Sequence, residues 1–184
     1  NIFAHISDIN GFIDNINLLL DENGIFVIEI QYFKHTFEDL SFDNIYHEHT
    51  FYYTVTSLNY IFSKHNLDIF KIIPVNTHGG SLRVFIKKQT NKNILIEDIV
   101  QTYIDNEQKL LTIDNLNSYS KKIEDKKKFI KNKMNELKLN NKNIIGYAAP
   151  AKAAVTLNYY ELDNKFIDCI IEDNKLKHDH IMPK

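Results

Sequence analysis

The sequence predicts an α/β fold built from two strand-and-helix units. Residues 8–20 carry apolar side chains at the three- and four-residue spacing of an amphipathic helix, and residues 25–30 form a continuous apolar run. Such a run suits a strand of a parallel sheet that is buried on both faces. A strand–helix–strand pattern recurs over residues 143–171. A helix followed by a buried strand is typical of α/β proteins.

The remaining elements follow from caps, turns and periodicity. Asp8 is a suitable N-cap for the first helix, and Asn23-Gly24 predicts its end and a turn. The pattern then predicts a helix at 57–66, strands at 68–75 and 81–88, a strand at 143–147, a helix at 151–160 and a strand at 166–171. The first three of these elements could complete an α/β domain with an antiparallel edge.

Residues 97–140 contain neither Gly nor Pro and are rich in Lys, Glu and Leu, which predicts one or two long helices. We interpret their sparse apolar stripe as a helix-packing face, formed by Ile104, Leu111, Tyr119, Ile123, Ile130, Met134 and Leu137. The charged run at 126–128 is interpreted as part of the solvated face rather than as a phosphate site.

Composition narrows the function classes. The net charge of -2 over 184 residues gives no reason to expect nucleic acid or an anionic membrane as a partner. The single cysteine, Cys169, excludes an intrachain disulfide framework and a zinc site built from several cysteines of this chain. No apolar run reaches the roughly 20 residues that span a bilayer. We therefore expect a cytoplasmic protein, and because both termini interrupt structured patterns, we expect a fragment.

The densest polar cluster is the run Ser-Phe-Asp-Asn-Ile-Tyr-His-Glu-His at 41–49. A histidine can exchange a proton near neutral pH, and a neighbouring carboxylate can orient its ring, as is usual around a general base. The run follows a buried strand, and ligands of open α/β sheets bind beyond the carboxyl ends of strands. A solvated His-rich loop is the alternative interpretation.

A second candidate region is the turn Gly-Tyr-Ala-Ala-Pro-Ala at 146–151, which has small residues where a dinucleotide fold has G-x-G-x-x-G. Small residues let the backbone approach a phosphate at a helix N-terminus. Lys152 lies in the first helical turn, which is unfavourable for a cation unless an anionic ligand is near. Glu172 and Asp173 end the next strand, where an acid can bind a ribose hydroxyl. A turn that serves packing alone is the alternative.

The order of four motifs resembles the S-adenosylmethionine-dependent sugar C-methyltransferases, which act on nucleotide-linked 4-keto-deoxysugars. The motifs are Asn1-x-x-x-His5, Ser-Phe-Asp-x-Ile-Tyr-x-Glu-His at 41–49, His-Gly-Gly-Ser-Leu-Arg-Val at 78–84, and Gly-Tyr-x-Ala-x-Ala-Lys at 146–152. The resemblance runs over nearly the whole chain. It implies S-adenosylmethionine as cofactor and a nucleotide-linked sugar as substrate, and it leaves the oligomeric state open.

The resemblance also implies a domain organisation. Family members have an N-terminal zinc-binding domain, a central class I (Rossmann-like) methyltransferase domain and a second Rossmann-like domain that helps to hold the nucleotide sugar. Residues 1–90 would be the C-terminal part of the central domain, residues 91–140 a helical connector, and residues 141–184 the start of the last domain. Zinc is then expected only in a missing N-terminal domain, and because the glycine-rich cofactor loop is missing too, the fragment alone is expected to be inactive.

Residue roles carry over from the matching motif positions. His49 corresponds to the family's proposed base, Glu48 to the neighbour that orients or polarises it, and Tyr46 to a hydroxyl near the keto oxygen. The remaining positions implied by the resemblance are substrate-binding His78, Gly79, Gly80, Lys152 and Asp173, and cofactor-binding Asn1 and His5.

Several of these positions have a simpler interpretation. Gly79-Gly80 could be a plain reverse turn, Arg83 could pair with a phosphate or lie on a strand surface, and His5 could be a satisfied buried histidine. Ala148 replaces a family glycine, so a positive φ there would be strained.

Two other function classes stay open. A non-catalytic nucleotide-sugar-binding module or inactive fragment would share the same motifs. A metal-binding module could use His47, Glu48, His49 and His78, although consecutive residues give poor chelate geometry.

Overall fold

The computed structural model describes residues 2–77 and 79–182. The chain divides into two compact units. The first comprises residues 1–39 and 48–116, and the second comprises residues 40–47 and 117–184. The domain boundaries that the resemblance implies, at residues 90 and 140, stay predictions.

The mixed α/β fold is confirmed. The helices and strands follow one another in the order α1 Ile9–Leu19, β1 Ile25–Gln31, α2 Phe33–Glu38, α3 Val55–Lys64, β2 Leu67–Val75, β3 Ser81–Lys88, α4 Asp98–Leu110, α5 Ile113–Leu139, β4 Ile145–Tyr147, α6 Ala151–Tyr160 and β5 Cys169–Ile171, with short 3-10 turns at Phe3–His5, Phe42–Asn44 and Lys175–Lys177. No helix among the described residues combines the length and the apolar character needed to cross a membrane.

The sheet of the first unit has the order β1-β3-β2, and both pairs are antiparallel. The parallel pairing expected for the strand at 25–30 is wrong for its observed neighbour, because β1 pairs antiparallel with β3. Burial on both faces is also wrong, because Ile28 and Ile30 are buried while Ile25 is 47% and Val27 43% exposed. Successive residues of a strand point to opposite faces, and only one face of β1 meets the core.

That core joins the sheet to helices α1, α3 and α4. Ile13, Leu58, Phe62, Val84 and Ile86 are all completely buried within it. Each such side chain contributes roughly 1.5–3 kcal/mol to folding when it is fully removed from water. The periodic apolar positions therefore fix which face each helix turns to the sheet.

Helix starts follow local capping chemistry. Asp8 caps α1 as predicted, since its carboxylate accepts a hydrogen bond from the Gly11 amide at 3.0 Å. Helix α3 begins two residues earlier than predicted because Thr54 and Ser57 form a capping box. The helical region predicted at residues 97–140 forms two helices, α4 and α5. Thr112 lies between them, and its hydroxyl accepts a hydrogen bond from the Asn115 amide at 3.2 Å. The stripe residues are all buried or half-buried, as a packing face requires.

The second unit contains the predicted strand–helix–strand pattern. Strands β4 and β5 are parallel, with Gly146 opposite Ile170, and α6 lies between them in sequence. Both strands are shorter than the pattern predicted. Phe42 packs on Tyr159 and Tyr160, with ring centroids 4.9 and 5.4 Å apart, which ties residues 40–47 to this unit.

Candidate functional site

The polar run lies in a loop. A 3-10 turn at Phe42–Asn44 opens it, and no regular element forms again until α3 begins at Val55. The division between the two units falls inside this run, since Tyr46 and His47 belong to the second unit and Glu48 and His49 to the first.

His5 and His49 lie side by side in the first unit. The two ring centroids are 5.1 Å apart with the ring planes inclined at 61°. Nδ1 of His5 is 2.6 Å from the carbonyl oxygen of Glu48. A carbonyl oxygen can only accept, so His5 Nδ1 carries the proton and donates it. The structure thus brings the predicted cofactor-binding histidine next to the predicted base.

The backbone on either side of His49 is fixed to the 3-10 turn that carries His5. The amide and the hydroxyl of Thr50 both donate to the carbonyl of Ala4, at 3.0 and 2.9 Å. With the His5 bond to Glu48, three hydrogen bonds hold three consecutive residues in place. His49 itself is half-buried, whereas Glu48 and His5 are exposed.

Tyr52 is a neighbour of His49 that sequence reasoning missed. Its ring centroid is 6.2 Å from that of His49 and 6.4 Å from that of Phe33, both in edge-to-face geometry. The phenol that the motif singles out, Tyr46, lies in the second unit, 6.1 Å from the ring of His47. A signal for Tyr52 existed in the aromatic triplet that follows the motif, but a triplet of this kind also predicts simple packing.

The glycine pair after β2 adopts backbone conformations that favour glycine. Gly79 has a φ of 79° and Gly80 a φ of 109°. A Cβ at Gly80 would lie 2.4 Å from the His35 ring, whereas one at Gly79 would meet open space. The Gly80 carbonyl accepts from the Tyr32 amide at 3.2 Å, so this turn is tied to the end of β1. His78, the third predicted member of the turn, lies outside the described residues.

Arg83 has a structural partner on the neighbouring strand. It donates to the Glu29 carboxylate at 2.9 Å, and Thr77 donates to the same group at 3.1 Å. The Arg83 guanidinium and then the Thr77 hydroxyl lower the pKa of Glu29. The strand-surface interpretation of Arg83 fits this geometry.

The small-residue turn of the second unit contains the strained position expected from the sequence. Ala148 has a φ of 68°, in the left-handed region. Its amide donates to the Ile171 carbonyl at 2.7 Å, which joins the turn to β5. The Ala149 amide donates to the Glu172 carboxylate, also at 2.7 Å. The Glu172 side chain therefore accepts a hydrogen bond from one of the backbone amides that the sequence predicted to be available to a phosphate.

The acids that end β5 have different partners. Glu172 also accepts from the Asn174 amide at 3.0 Å, and the Asn174 and Ala149 amides are the main causes of its lowered pKa. Asp173 accepts from the Tyr147 hydroxyl at 2.7 Å. Lys152 is half-buried in the first turn of α6. The predicted substrate-binding residues of this unit, Lys152 and Asp173, thus lie in the first turn of α6 and just after β5.

Cofactor and metal groups can be tested against the donors present. In the described ranges 2–77 and 79–182, no group of three or more His, Cys, Asp or Glu side chains could hold a metal ion. The five glycines of the chain do not form a glycine-rich loop after a strand. Of the two residues predicted to bind S-adenosylmethionine, His5 is exposed and lies beside the half-buried His49, and Asn1 lies outside the described residues.

The fold and site thus define an α/β protein in which the rings of His5 and His49 lie side by side. Comparison with known proteins assigns the family. A sequence profile described as the C-methyltransferase C-terminal domain matches residues 76–184, more than half of the chain. The chain is also similar to C-methyltransferase NovU of Streptomyces niveus, with 25% identity over 182 residues, 98% of this chain and 43% of that protein. The chain belongs to the C-methyltransferase family, as its motifs predicted, and it spans less than half the length of this curated relative.

Proposed function

We propose that the protein catalyses S-adenosylmethionine-dependent C-methylation of a nucleotide-activated 4-keto-deoxysugar, with His49 as the general base. The observation that carries the proposal is the fixed placement of His49 beside His5, on a backbone segment held by three hydrogen bonds. Family membership supports the methyltransferase chemistry. We place the reaction in the cytoplasm, with no nucleic-acid or membrane partner.

The reaction follows from the acidity of a carbon next to a ketone. The imidazole of His49 takes the proton of that carbon, because an imidazole titrates near neutral pH. The Glu48 side chain orients or polarises the base, and the Tyr46 hydroxyl steadies the enolate oxygen by hydrogen bonding. S-adenosylmethionine, when bound, supplies the methyl group that the carbon attacks.

The remaining predicted residues hold the reactants. Asn1 and His5 would contact the cofactor, and the turn formed by His78, Gly79 and Gly80 would face the sugar. Lys152 would pair with the phosphates of the nucleotide and Asp173 with a ribose hydroxyl. The hydrogen bond from His5 Nδ1 to Glu48 supports this role for His5, because it leaves Nε2 as the ring nitrogen available to a ligand.

The reaction is tested with full-length protein carrying this chain, in deuterated water. The protein is incubated with S-adenosylmethionine and a thymidine-diphospho-4-keto-6-deoxysugar, and the sugar is followed by mass spectrometry. We expect a gain of one methyl group. His49→Ala should lower its rate by about 10²–10⁴-fold, as loss of an acid–base group does.

His47→Ala is the matched control, since it removes an imidazole two residues away in sequence to which the proposal gives no role. An equal loss in both variants would contradict His49 as the base. Deuterium uptake without methylation would show a working base without productive cofactor binding. Sugar binding with neither methylation nor deuterium uptake would favour a non-catalytic binding module. This second candidate stays open because the chain matches only 43% of the length of C-methyltransferase NovU.

A further inference from the structure

A buried carboxylate that the proposed reaction does not use connects two segments of the first unit. Glu107 lies on α4 and is only 2% exposed. A buried carboxylate is strongly unfavourable unless hydrogen bonds satisfy it. Its partners therefore show what the residue does for the structure.

Four donors converge on Glu107. The amides of Val55 and Thr56 donate at 2.6 and 2.7 Å, the Thr56 hydroxyl at 2.5 Å and the Tyr32 hydroxyl at 2.9 Å. The two amides are the first of helix α3, whose N-terminal dipole favours an anion. Hydrogen bonds to an ionised acceptor are stronger than those between neutral groups. Glu107 therefore fixes the start of α3 from another helix.

The start of α3 forms the C-terminal end of the His49 segment, which comprises residues 48–56. Tyr53, two residues before α3, accepts from the Phe33 amide at 3.0 Å and donates its hydroxyl to the Phe3 carbonyl at 3.4 Å. Ala4 and His5 hold the N-terminal end of the segment through hydrogen bonds to Glu48 and Thr50. Because only five residues lie between His49 and Val55, a shift at the helix start would reach the base.

The second connection runs through Tyr32. Burial and then the Glu107 carboxylate raise the pKa of Tyr32, so its hydroxyl stays protonated and keeps donating. The Tyr32 amide donates to the Gly80 carbonyl at 3.2 Å. Glu107 is thus linked through one side chain to the glycine turn.

We propose that Glu107 is a positioning residue for the His49 segment and the glycine turn. It acts through the first amides of α3 and through the Tyr32 hydroxyl. Its effect on catalysis rests on the proposed function, whereas its effect on the order of residues 48–56 does not.

The test compares Glu107→Gln with the parent in full-length protein. Glutamine keeps the shape, but its NH2 group replaces one carboxylate oxygen and cannot accept, so either the Val55 amide or the Thr56 amide loses its acceptor. We expect kcat for methylation and the rate of deuterium uptake to fall together by about ten- to a hundredfold, as small misplacement of reacting groups causes. KM for the sugar should change less than kcat, because Glu107 reaches the proposed sugar-facing turn only indirectly, through Tyr32.

Two control variants separate positioning from general stability. Asp105→Asn neutralises an exposed carboxylate on the same helix, which accepts only from Gln101 at 2.7 Å among its described contacts. Ile86→Val removes one methylene group from the core of β3 and leaves Glu107 and its four hydrogen-bond donors chemically unchanged. Both control variants should keep the parent kcat under conditions in which they are folded. The proposal would be overturned if the loss of activity in Glu107→Gln were fully explained by its unfolded fraction, as we expect for any loss in Ile86→Val.

A second readout needs no catalysis. Amide hydrogen exchange over residues 48–56 should speed up in Glu107→Gln and stay near the parent rate in Asp105→Asn. Unchanged protection would overturn the proposal. If Glu107→Gln does not fold, Tyr32→Phe takes its place and should loosen the glycine turn, and unchanged exchange there would also overturn it. A parent protein that neither labels nor methylates the sugar would defeat the proposed function alone.

Discussion

The Glu172 carboxylate accepts a hydrogen bond from the Ala149 amide at 2.7 Å, in the turn that connects β4 to α6. The same turn contains Ala148 with a φ of 68°. The lysine at 177 donates to the Ala149 carbonyl at 2.8 Å and lies 3.6 Å from Glu172. The side chains of Glu172 and Lys177, which follow β5, therefore hold the turn in a conformation that alanine does not favour.

Ala148→Gly should stabilise the second unit. A non-glycine residue in the left-handed region costs about 1–2 kcal/mol, and glycine gives back part of this gain through its larger unfolded-state entropy. We expect the free energy of unfolding to rise by about 0.5–1 kcal/mol. Urea denaturation measures it. Ala153→Gly, inside α6, is the matched control and should lower stability by about 1 kcal/mol; changes of equal sign would contradict the strain at Ala148.

Gly80→Ala should destabilise the first unit more than Gly79→Ala. Both positions have positive φ, but only the Gly80 Cβ would meet the His35 ring, at 2.4 Å. Each substitution costs about 1–3 kcal/mol of backbone strain, and the clash adds to it at Gly80. Thermal unfolding of the two variants gives the comparison. A Gly79 variant that is the less stable of the pair would show that the His35 ring moves aside at no cost.

Stability below pH 5 should depend on Glu161. Its carboxylate accepts from Lys127 and Lys131, each at 2.7 Å, and these ammonium groups lower its pKa to about 2. A folded-state pKa below the unfolded value contributes stability that is present above about pH 4.5 and is lost as pH falls toward 2. Because the group is exposed, salt should weaken the effect.

The measurement is the denaturation midpoint between pH 6 and pH 2.5. Glu161→Gln should flatten the fall relative to the parent, whereas Asp125→Asn, an exposed acid on α5, should not. A parallel fall in parent and Glu161→Gln would assign the acid sensitivity to other carboxylates.

Local patterns predicted most elements because short-range chemistry sets them. The Asp8 cap, the glycine turn and the strand at 81–88 all depend on residues close in sequence. The partner of β1 could not be predicted in the same way, because an apolar run does not specify the direction of its neighbour. The run at 25–30 suggested a strand buried on both faces, yet alternate residues of β1 are exposed.

The same limit applies to the site. The motif identified His49 and Glu48 as residues of one loop, and the fold adds that Glu48 contributes a backbone carbonyl to His5. Tyr52 and Glu107 were missed for different reasons. Tyr52 sits in an aromatic triplet whose usual explanation is packing, and Glu107 meets its partners 51 to 75 residues away in sequence.

The interleaved sequence of the two units has a practical consequence for dissecting the protein. Residues 40–47 belong to the second unit, although about seventy residues of the first unit separate them from residue 117. A single truncation near residue 116 would leave Tyr159 and Tyr160 without the Phe42 ring that packs on them. Limited proteolysis that nicks the chain once near residue 116 should therefore yield fragments that stay associated, and recombinant halves divided there should need co-expression to regain the aromatic cluster.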